Sequence, residues 1–323
     1  MSCFAPFTFL HVNDHHIGSP RSYRFRPAVN ERWAAIRQQM SQIDADLLLV
    51  GGDQTRDGDT HEHEYQLGRW DLETLPFPAH IIPGNMDVGN KHTSVNGPNP
   101  TRNDISINMT SARLQLFASH FGPINWTFLH RDVRFTGFYA AVAGSGLPEE
   151  ERFWQFIERL PALPAGRHHV AVMHYWLYMD SFDEPNWDIT KKDEYLLWYF
   201  GIDEPHRSRL FEALKKAKVE ILFCGHVHTG RPVEIVDGVR IYKTSAGGNT
   251  AQLTDRWDEI ETRQGFHRCD VTDSGIDVTF IPGDVQIEDH DVYGPGGHPS
   301  LTQRDYSIAP EQPPLAPDPW LLT

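Results

Sequence analysis

Five short stretches of this chain end on residues able to bind a cation. "VNDHH" carries Asp14 and His16 at i and i+2, "GGD" carries Asp53, and "PGNMD" carries Asn85. The run "VAVM" closes on His174, and "CGHVHTG" carries His226 and His228, again at i and i+2. Carboxylate, imidazole and amide oxygen are N/O donors of the kind that Mn, Fe, Zn or Co accept, with no soft sulfur among them. In extended chain, residues i and i+2 leave on the same side, so the Asp14 carboxylate and the His16 imidazole are expected to converge where they could grip one cation. A lone strand-end histidine is more often a hydrogen-bonded structural residue, and an H-x-H pair alone is evenly balanced. Five such placements in one chain carry the metal-site reading.

These residues need strands to deliver them. "FTFLHV" (7–12), "DLLLV" (46–50), "AHIIPG" (79–84), "VRFTGFYAAVAG" (133–144), "HHVAVMHY" (168–175) and "VEILFCGH" (219–226) are apolar, β-prone runs. Between them, "ERWAAIRQQMSQI" puts Trp33, Ile36, Met40 and Ile43 on one helical face. "LPEEERFWQFIERL" has proline and glutamates in its first turn, a good helix start, and "EPHRSRLFEALKKAK" reads as a further helix. Strands alternating with helices predict parallel crossovers. "VEIVDGVRIY" is a hairpin with Asp-Gly at its turn, and "FHRCDVTDSGIDVTFI" a second one. Residues 88–112 read as a long functional surface loop. The proline-rich tail divides the chain into a domain at 1–285 and an irregular extension at 286–323.

Bulk properties narrow the function. The chain has 323 residues, with 29 Lys+Arg against 44 Asp+Glu, a net charge of −15. That balance argues against sequence-blind nucleic-acid binding and against docking on an anionic membrane. Cys3, Cys224 and Cys269 show no paired spacing, so neither a disulfide framework nor a zinc ribbon is expected. The start has no secretory pattern and no run reaches the ~20 apolar residues of a membrane span, so a cytoplasmic protein is expected.

The order D-x-H, G-D, G-N, H, G-H-x-H resembles the calcineurin-like metallophosphoesterases over roughly residues 7–285. "LPEEERFWQF", the stretch from "EPHRSRLFEALKKAK" to "CGHVHTG" and the hairpin after it look most similar to the cyclic-nucleotide-phosphodiesterase-like branch. The resemblance implies an α/β fold, a four-layer αββα sandwich of two mixed sheets flanked by helices. It implies two divalent ions (Mn, Fe or Zn), the first held by Asp14, His16 and His228, the second by Asn85, His174 and His226, and Asp53 bridging both. Two carboxylates against two divalent ions leave a net +2, which suits a phosphoryl oxygen and a metal-bridging hydroxide as nucleophile. Asn85 and Asp53 would serve catalysis as well as metal binding. The implied activity is phosphoester hydrolysis on a small substrate, a phosphodiesterase acting on a nucleotide-like molecule. Phosphomonoesterase, nuclease and phospholipid-headgroup hydrolase are the rivals within the class, and a non-catalytic metal-binding scaffold is the rival outside it.

One position breaks the family pattern. G-N-H-D or G-N-H-E is usual, with the histidine beside the phosphate helping the leaving group; here the stretch is "GNMD", with Met86. Methionine donates no proton, and general-acid help is typically worth ~10²–10⁴-fold. Either the leaving group is good, or His15, His61, His63 or His92 substitutes, or the protein is catalytically weak. Asp87 is a candidate to orient a ligand, and Asp57 to hydrogen-bond a metal-bound histidine. "HEHEY" (61–65) reads as a solvated loop, His168 and His169 as surface residues, and Arg231 as a plain surface cation. Tyr175 and Trp176 are equally candidates for a pocket wall and for packing.

Overall fold

Alternation along the strands sorts the apolar side chains into layers. In β2 (Leu47–Val50), Leu47 and Leu49 join one buried cluster while Leu48 and Val50 join another. Successive side chains point to opposite faces, so a strand apolar at every position must be covered on both. β6 (His168–Met173) and β7 (Ile221–Cys224) divide in the same way: Val170, Val172, Ile221 and Phe223 go to the first cluster, Ala171, Met173, Leu222 and Cys224 to a third.

The computed structural model describes residues 5–19, 25–98 and 105–289. Its first half runs β1 (Phe7–Val12), α1 (Pro27–Met40), β2, α2 (Glu62–Glu73), β3 (Ala79–Ile81), α3 (Asn85–Val88), α4 (Ser111–Phe121), β4 (Trp126–His130) and β5 (Val133–Gly137). The second half runs α5 (Pro148–Arg159), β6, α6 (Tyr195–Phe200), α7 (His206–Lys216), β7, β8 (Glu234–Val236), β9 (Val239–Lys243), β10 (Gly265–Val271) and β11 (Ile276–Pro282). One sheet has the order β11-β10-β1-β2-β3, the other β4-β5-β6-β7-β9-β8. Both are mixed: β1-β2-β3 and β5-β6-β7-β9 are parallel, while β10, β11, β4 and β8 join antiparallel.

Phe9, Leu47, Leu49, Phe135, Val170, Val172 and Phe223 form the layer between the sheets. Each such side chain contributes about 1.5–3 kcal/mol by leaving water. Trp33, Ile36 and Met40 of α1 and Leu67 and Leu72 of α2 cover the outer face of the first sheet. Phe153 and Ile157 of α5 and Leu210 and Leu214 of α7 share a cluster with the outer residues of β6 and β7. The architecture is therefore two mixed sheets face to face with helices outside. It places the carboxyl ends of β1, β2, β3, β6 and β7 at one rim, where ligands of open α/β sheets collect.

Several expectations need correction. "HEHEY" is not a solvated loop: α2 begins at Glu62, and His61, His63, Glu64 and Tyr65 are buried. Glu64 accepts from the backbone N–H groups of Ser19 and Asp57, a buried use for a charge that its sequence surroundings do not announce. His169 is buried too, with Nε2 by the Thr136 hydroxyl and Nδ1 by the Ala217 carbonyl. The 133–144 strand stops at Gly137. The 88–112 loop contains the start of α4; its residues 99–104 lie outside the described residues.

Residues 282–289 run along α1. Gln39 donates to the Pro282 carbonyl, Arg32 to that of Ile287, and Asp289 pairs with Arg26 and Arg32. The start of the expected 286–323 extension is thus packed on the domain, and residues 290–323 lie outside the described residues.

Candidate metal centre

The backbone beyond the strands sets the geometry. Asp14 and His16 follow β1, Asp53 follows β2, Asn85 opens α3, His174 directly follows β6, and His226 and His228 follow β7. Asp14, His16, Asp53, His226 and His228 have φ of 55°, 49°, 54°, 73° and 64°. The paired residues therefore do not converge by strand alternation, as the i, i+2 spacing suggested. All four take left-handed backbone, which brings Asp14 and His16 into one group and sends His228 to that group and His226 to the other. That conformation costs a non-glycine residue on the order of 1 kcal/mol or more, and it persists only where its surroundings enforce it. Here the loops are stitched together: Asp14 N donates to Gly52 O at 3.0 Å, His16 N to Asp53 O at 3.0 Å, and Gly225 N to His174 O at 2.8 Å.

Two glycines of the motifs are required by close approach. A Cβ on Gly84 would collide with the backbone and carboxylate of Asp53, and one on Gly225 would lie 2.7 Å from Asp14 Oδ2. The glycine preceding Asn85 thus makes room for Asp53, and the glycine preceding His226 makes room for Asp14.

Both aspartates divide their oxygens between anchoring and presentation. Asp14 Oδ2 accepts from Asn13 Nδ2 and from the His226 backbone at 2.8 Å. Its Oδ1 faces His228 Nε2 at 3.4 Å, His16 Nε2 at 3.8 Å and His174 Nε2 at 3.9 Å. Asp53 Oδ1 accepts from Met86 N at 2.7 Å, while Oδ2 stands 3.6 Å from His16 Nε2 and 3.4 Å from His174 Nε2. The donor atoms of Asp14, His16, Asp53 and His228 all lie within 4.8 Å of one another, as do those of Asp53, His174 and His226. Asp53 belongs to both groups. Asn85 joins the second, with Oδ1 3.2 Å from His174 Nε2. All seven predicted residues are brought together, each less than about a tenth exposed.

The donor set fits a pair of cations. His174 Nδ1 donates to the Gly51 carbonyl at 2.9 Å and His228 Nδ1 to the Thr250 carbonyl at 2.9 Å, leaving a lone pair on each Nε2. Those nitrogens face carboxylate and amide oxygens, an arrangement that a proton or a metal cation on Nε2 relieves. Asp14 Oδ1 is buried with no hydrogen-bond donor among the described residues. Burial works against the charge of Asp14, yet His228, His174 and His16 hold its carboxyl well below the usual range. Burial also opposes a charged His174, but Asp53 and Asp14 outweigh it and push that imidazole up to about 9. Burial, reinforced by His174, pushes His226 well below the ordinary histidine value.

The other sequence candidates fall in different places. Met86 is half-buried and contributes its backbone N–H to Asp53. The Asp87 carboxylate accepts from the N–H groups of Gln54, Thr55 and Gly84, so it ties the Asp53 loop to the Asn85 loop. His15 stacks on Trp33 with ring centroids 4.2 Å apart, so it does not replace the missing histidine. His92 is exposed. Arg231 is engaged by the Glu259 carbonyl and the Trp257 ring. Tyr175 and Trp176 are fully buried, Tyr175 against the His226 ring and Trp176 against Trp257.

Tyr199 escaped the sequence reading. Its hydroxyl accepts from Asn85 Nδ2 at 2.8 Å, and its carbonyl lies 3.3 Å from His226 Nε2. The only local signal was the aromatic run "YLLWYF", which reads equally as core.

Comparison with known proteins places this geometry. The model of the family described as calcineurin-like phosphoesterase matches residues 7–230. No curated protein sequence matches the chain. Among solved structures, a purple acid phosphatase from yellow lupin (Lupinus luteus) is similar at 15% identity and a TM-score of 0.58, over 88% of this chain and 53% of that one. This chain thus spans about half the length of the lupin protein. GAP50, the anchor in the inner membrane complex of Plasmodium, is similar at 13% identity and a TM-score of 0.53, over 89% of each chain. A dimetal phosphatase from Danio rerio is similar at 11% identity and a TM-score of 0.50, over 88% of this chain and 99% of that one. At such identities the likeness establishes the fold, which is that of the metallo-dependent phosphatases. Among the described residues, no helix is long and apolar enough to cross a membrane.

Proposed function

The chain belongs to the calcineurin-like phosphoesterase family, and from that membership we propose that it hydrolyses a small, nucleotide-like phosphodiester. The family uses two divalent ions. In this reading Asp14, His16 and His228 hold one, Asn85, His174 and His226 hold the other, and Asp53 is shared. The observation that carries it is the placement of Asp53 Oδ2 between His16 at 3.6 Å and His174 at 3.4 Å. A pair of divalent ions, when bound, supplies positive charge to a phosphoryl oxygen and makes a water acidic enough to attack near neutral pH.

The chain's own residues supply the rest. Asp14 and Asp53 offset part of the cationic charge, and burial keeps water from screening what remains. The bonds to Gly51 and Thr250 fix which nitrogen His174 and His228 present. Met86 has no proton to give, so leaving groups that need none are favoured. A diester carries one negative charge where a monoester carries up to two, and a chain of net charge −15 repels the second more. The nucleotide-like substrate is supported by the three stretches similar to the cyclic-nucleotide-phosphodiesterase-like branch. A cytoplasmic location agrees with Cys224 and Cys269 as buried free thiols.

The test is turnover by the metal-free chain after loading with Mn. Bis-p-nitrophenyl phosphate is expected to be hydrolysed faster than p-nitrophenyl phosphate. Preference for the monoester overturns the diester assignment, and inertness with two ions bound overturns hydrolysis itself.

A further inference from the structure

We infer that Tyr199 is a positioning residue that fixes the second ion's ligands, held in turn by Asn90 and Lys91 just beyond α3. The inference rests on the two-ion reading above. Asn85 can serve as a ligand only through Oδ1, since its NH2 group has no lone pair to give. An amide can present either end, so something must choose. Asn85 Nδ2 donates to the Tyr199 hydroxyl at 2.8 Å and to Asn90 Oδ1 at 3.2 Å, which uses both of its hydrogens. The Tyr199 hydroxyl in turn donates to Asn90 Oδ1 at 3.2 Å. The three groups close a ring that turns Oδ1 toward His174 Nε2.

The same residue reaches a second ligand. The Tyr199 carbonyl lies 3.3 Å from His226 Nε2, and donation there leaves Nδ1 as the nitrogen with a free lone pair. One residue therefore orients two of the three unshared ligands of the second group, by its hydroxyl and by its backbone.

What holds Tyr199 comes from Asn90 and Lys91, with Ile107 and Met109 fixing Asn90. Asn90 is pinned by its N–H to the Ile107 carbonyl at 2.7 Å and by the Met109 N–H to its own carbonyl at 2.8 Å. Lys91 Nζ is buried and donates to the carbonyls of Trp198 at 2.6 Å and Gly201 at 3.1 Å, with Asp203 balancing its charge at 3.1 Å. A buried ammonium gripping the end of α6 is a costly device unless the position of α6 matters.

Tyr199→Phe keeps the ring and the carbonyl and removes only the hydroxyl. The experiment is calorimetric titration of the metal-free full chain with Mn²⁺, paralleled by Co²⁺ absorption spectra, which report the coordination of each ion. Wild type is expected to bind two ions. In Tyr199→Phe the second step should weaken by roughly 10–100-fold, as other residues that orient ligands do when lost, with the first step unchanged and the Co²⁺ spectrum altered only for the second ion. Asn90→Ala should shift the same step. An unchanged second step overturns the inference, and so does equal weakening of both steps with a lowered Tm, which marks a merely structural role. Wild type binding fewer than two ions instead overturns the two-ion reading, so the two failures are distinguishable.

Discussion

His174 Nε2 and Asn85 Oδ1 face each other at 3.2 Å, and the far end of each group is already committed. His174 Nδ1 donates to Gly51, and Asn85 Nδ2 donates to Tyr199 and Asn90. Two acceptors held together inside the protein are unfavourable unless a proton or a metal cation joins them, and a divalent ion would serve His174, Asn85 and the shared Asp53 at once. Divalent ions should therefore stabilise the fold. At free ion about 100 times Kd, one site contributes about 2.7 kcal/mol, roughly 4 °C in Tm for a chain of this length. Thermal scans with and without Mn should show that rise in wild type. Asp53→Ala, which removes the shared ligand, should abolish it; a rise that survives Asp53→Ala contradicts the shared-ligand assignment.

Met86 tests the leaving-group argument. Its backbone N–H holds Asp53, and Met86→His leaves that bond intact. The substitution should accelerate alkyl phosphodiesters by about 10-fold or more, toward the usual range of general-acid help, and nitrophenyl esters much less. Equal acceleration of both, or none, contradicts this account of position 86.

Asp87 tests whether the two loops are held as a unit. Its carboxylate gathers buried donors from Gln54, Thr55 and Gly84, and Asp87→Ala leaves them unsatisfied. The expected loss is about 3 kcal/mol or more in urea unfolding, with Asp87→Asn losing less. A loss within the range of an ordinary surface substitution would show that the loops hold without it.

Acid lability follows from buried histidines that are not among the seven clustered residues. Burial pushes His267 and His169 down to about 4, and burial with the neighbouring His267 pushes His11 well below the ordinary value. Unfolded, each would take up a proton near pH 6.5, so the stability gained by keeping them neutral is full above that pH. It declines as pH falls from 6.5 toward 4, by up to about 1.4 kcal/mol per unit per group. His267 packs against His11, Tyr242 and Phe280, and His267→Phe suits that setting. In chelator, denaturation at pH 7, 6 and 5 should give a shallower loss for His267→Phe than for wild type. Parallel profiles would remove His267 from the account.

The seven clustered residues were legible in the sequence because each motif is local: a strand end and a donor, with a glycine before Asp53, Asn85 and His226, fit within a few residues. The way they converge was not legible. The i, i+2 spacing suggested extended chain, whereas Asp14, His16, His226 and His228 adopt left-handed backbone enforced by hydrogen bonds between loops. α2 was hidden because its buried polar start depends on Glu64 reaching Ser19, 45 residues away in sequence. The β4–β5 turn was hidden because Arg131 and Asp132 take positive φ without any glycine to announce it. Tyr199 was hidden because its meaning lies in Asn85, 114 residues distant.

Anomalous diffraction from Mn-loaded crystals tests the central claim most directly. The account predicts two peaks about 3.5–4 Å apart, one among Asp14, His16 and His228, the other among Asn85, His174 and His226, with Asp53 touching both. A single peak, or a pair in which Asp53 touches only one, would contradict it.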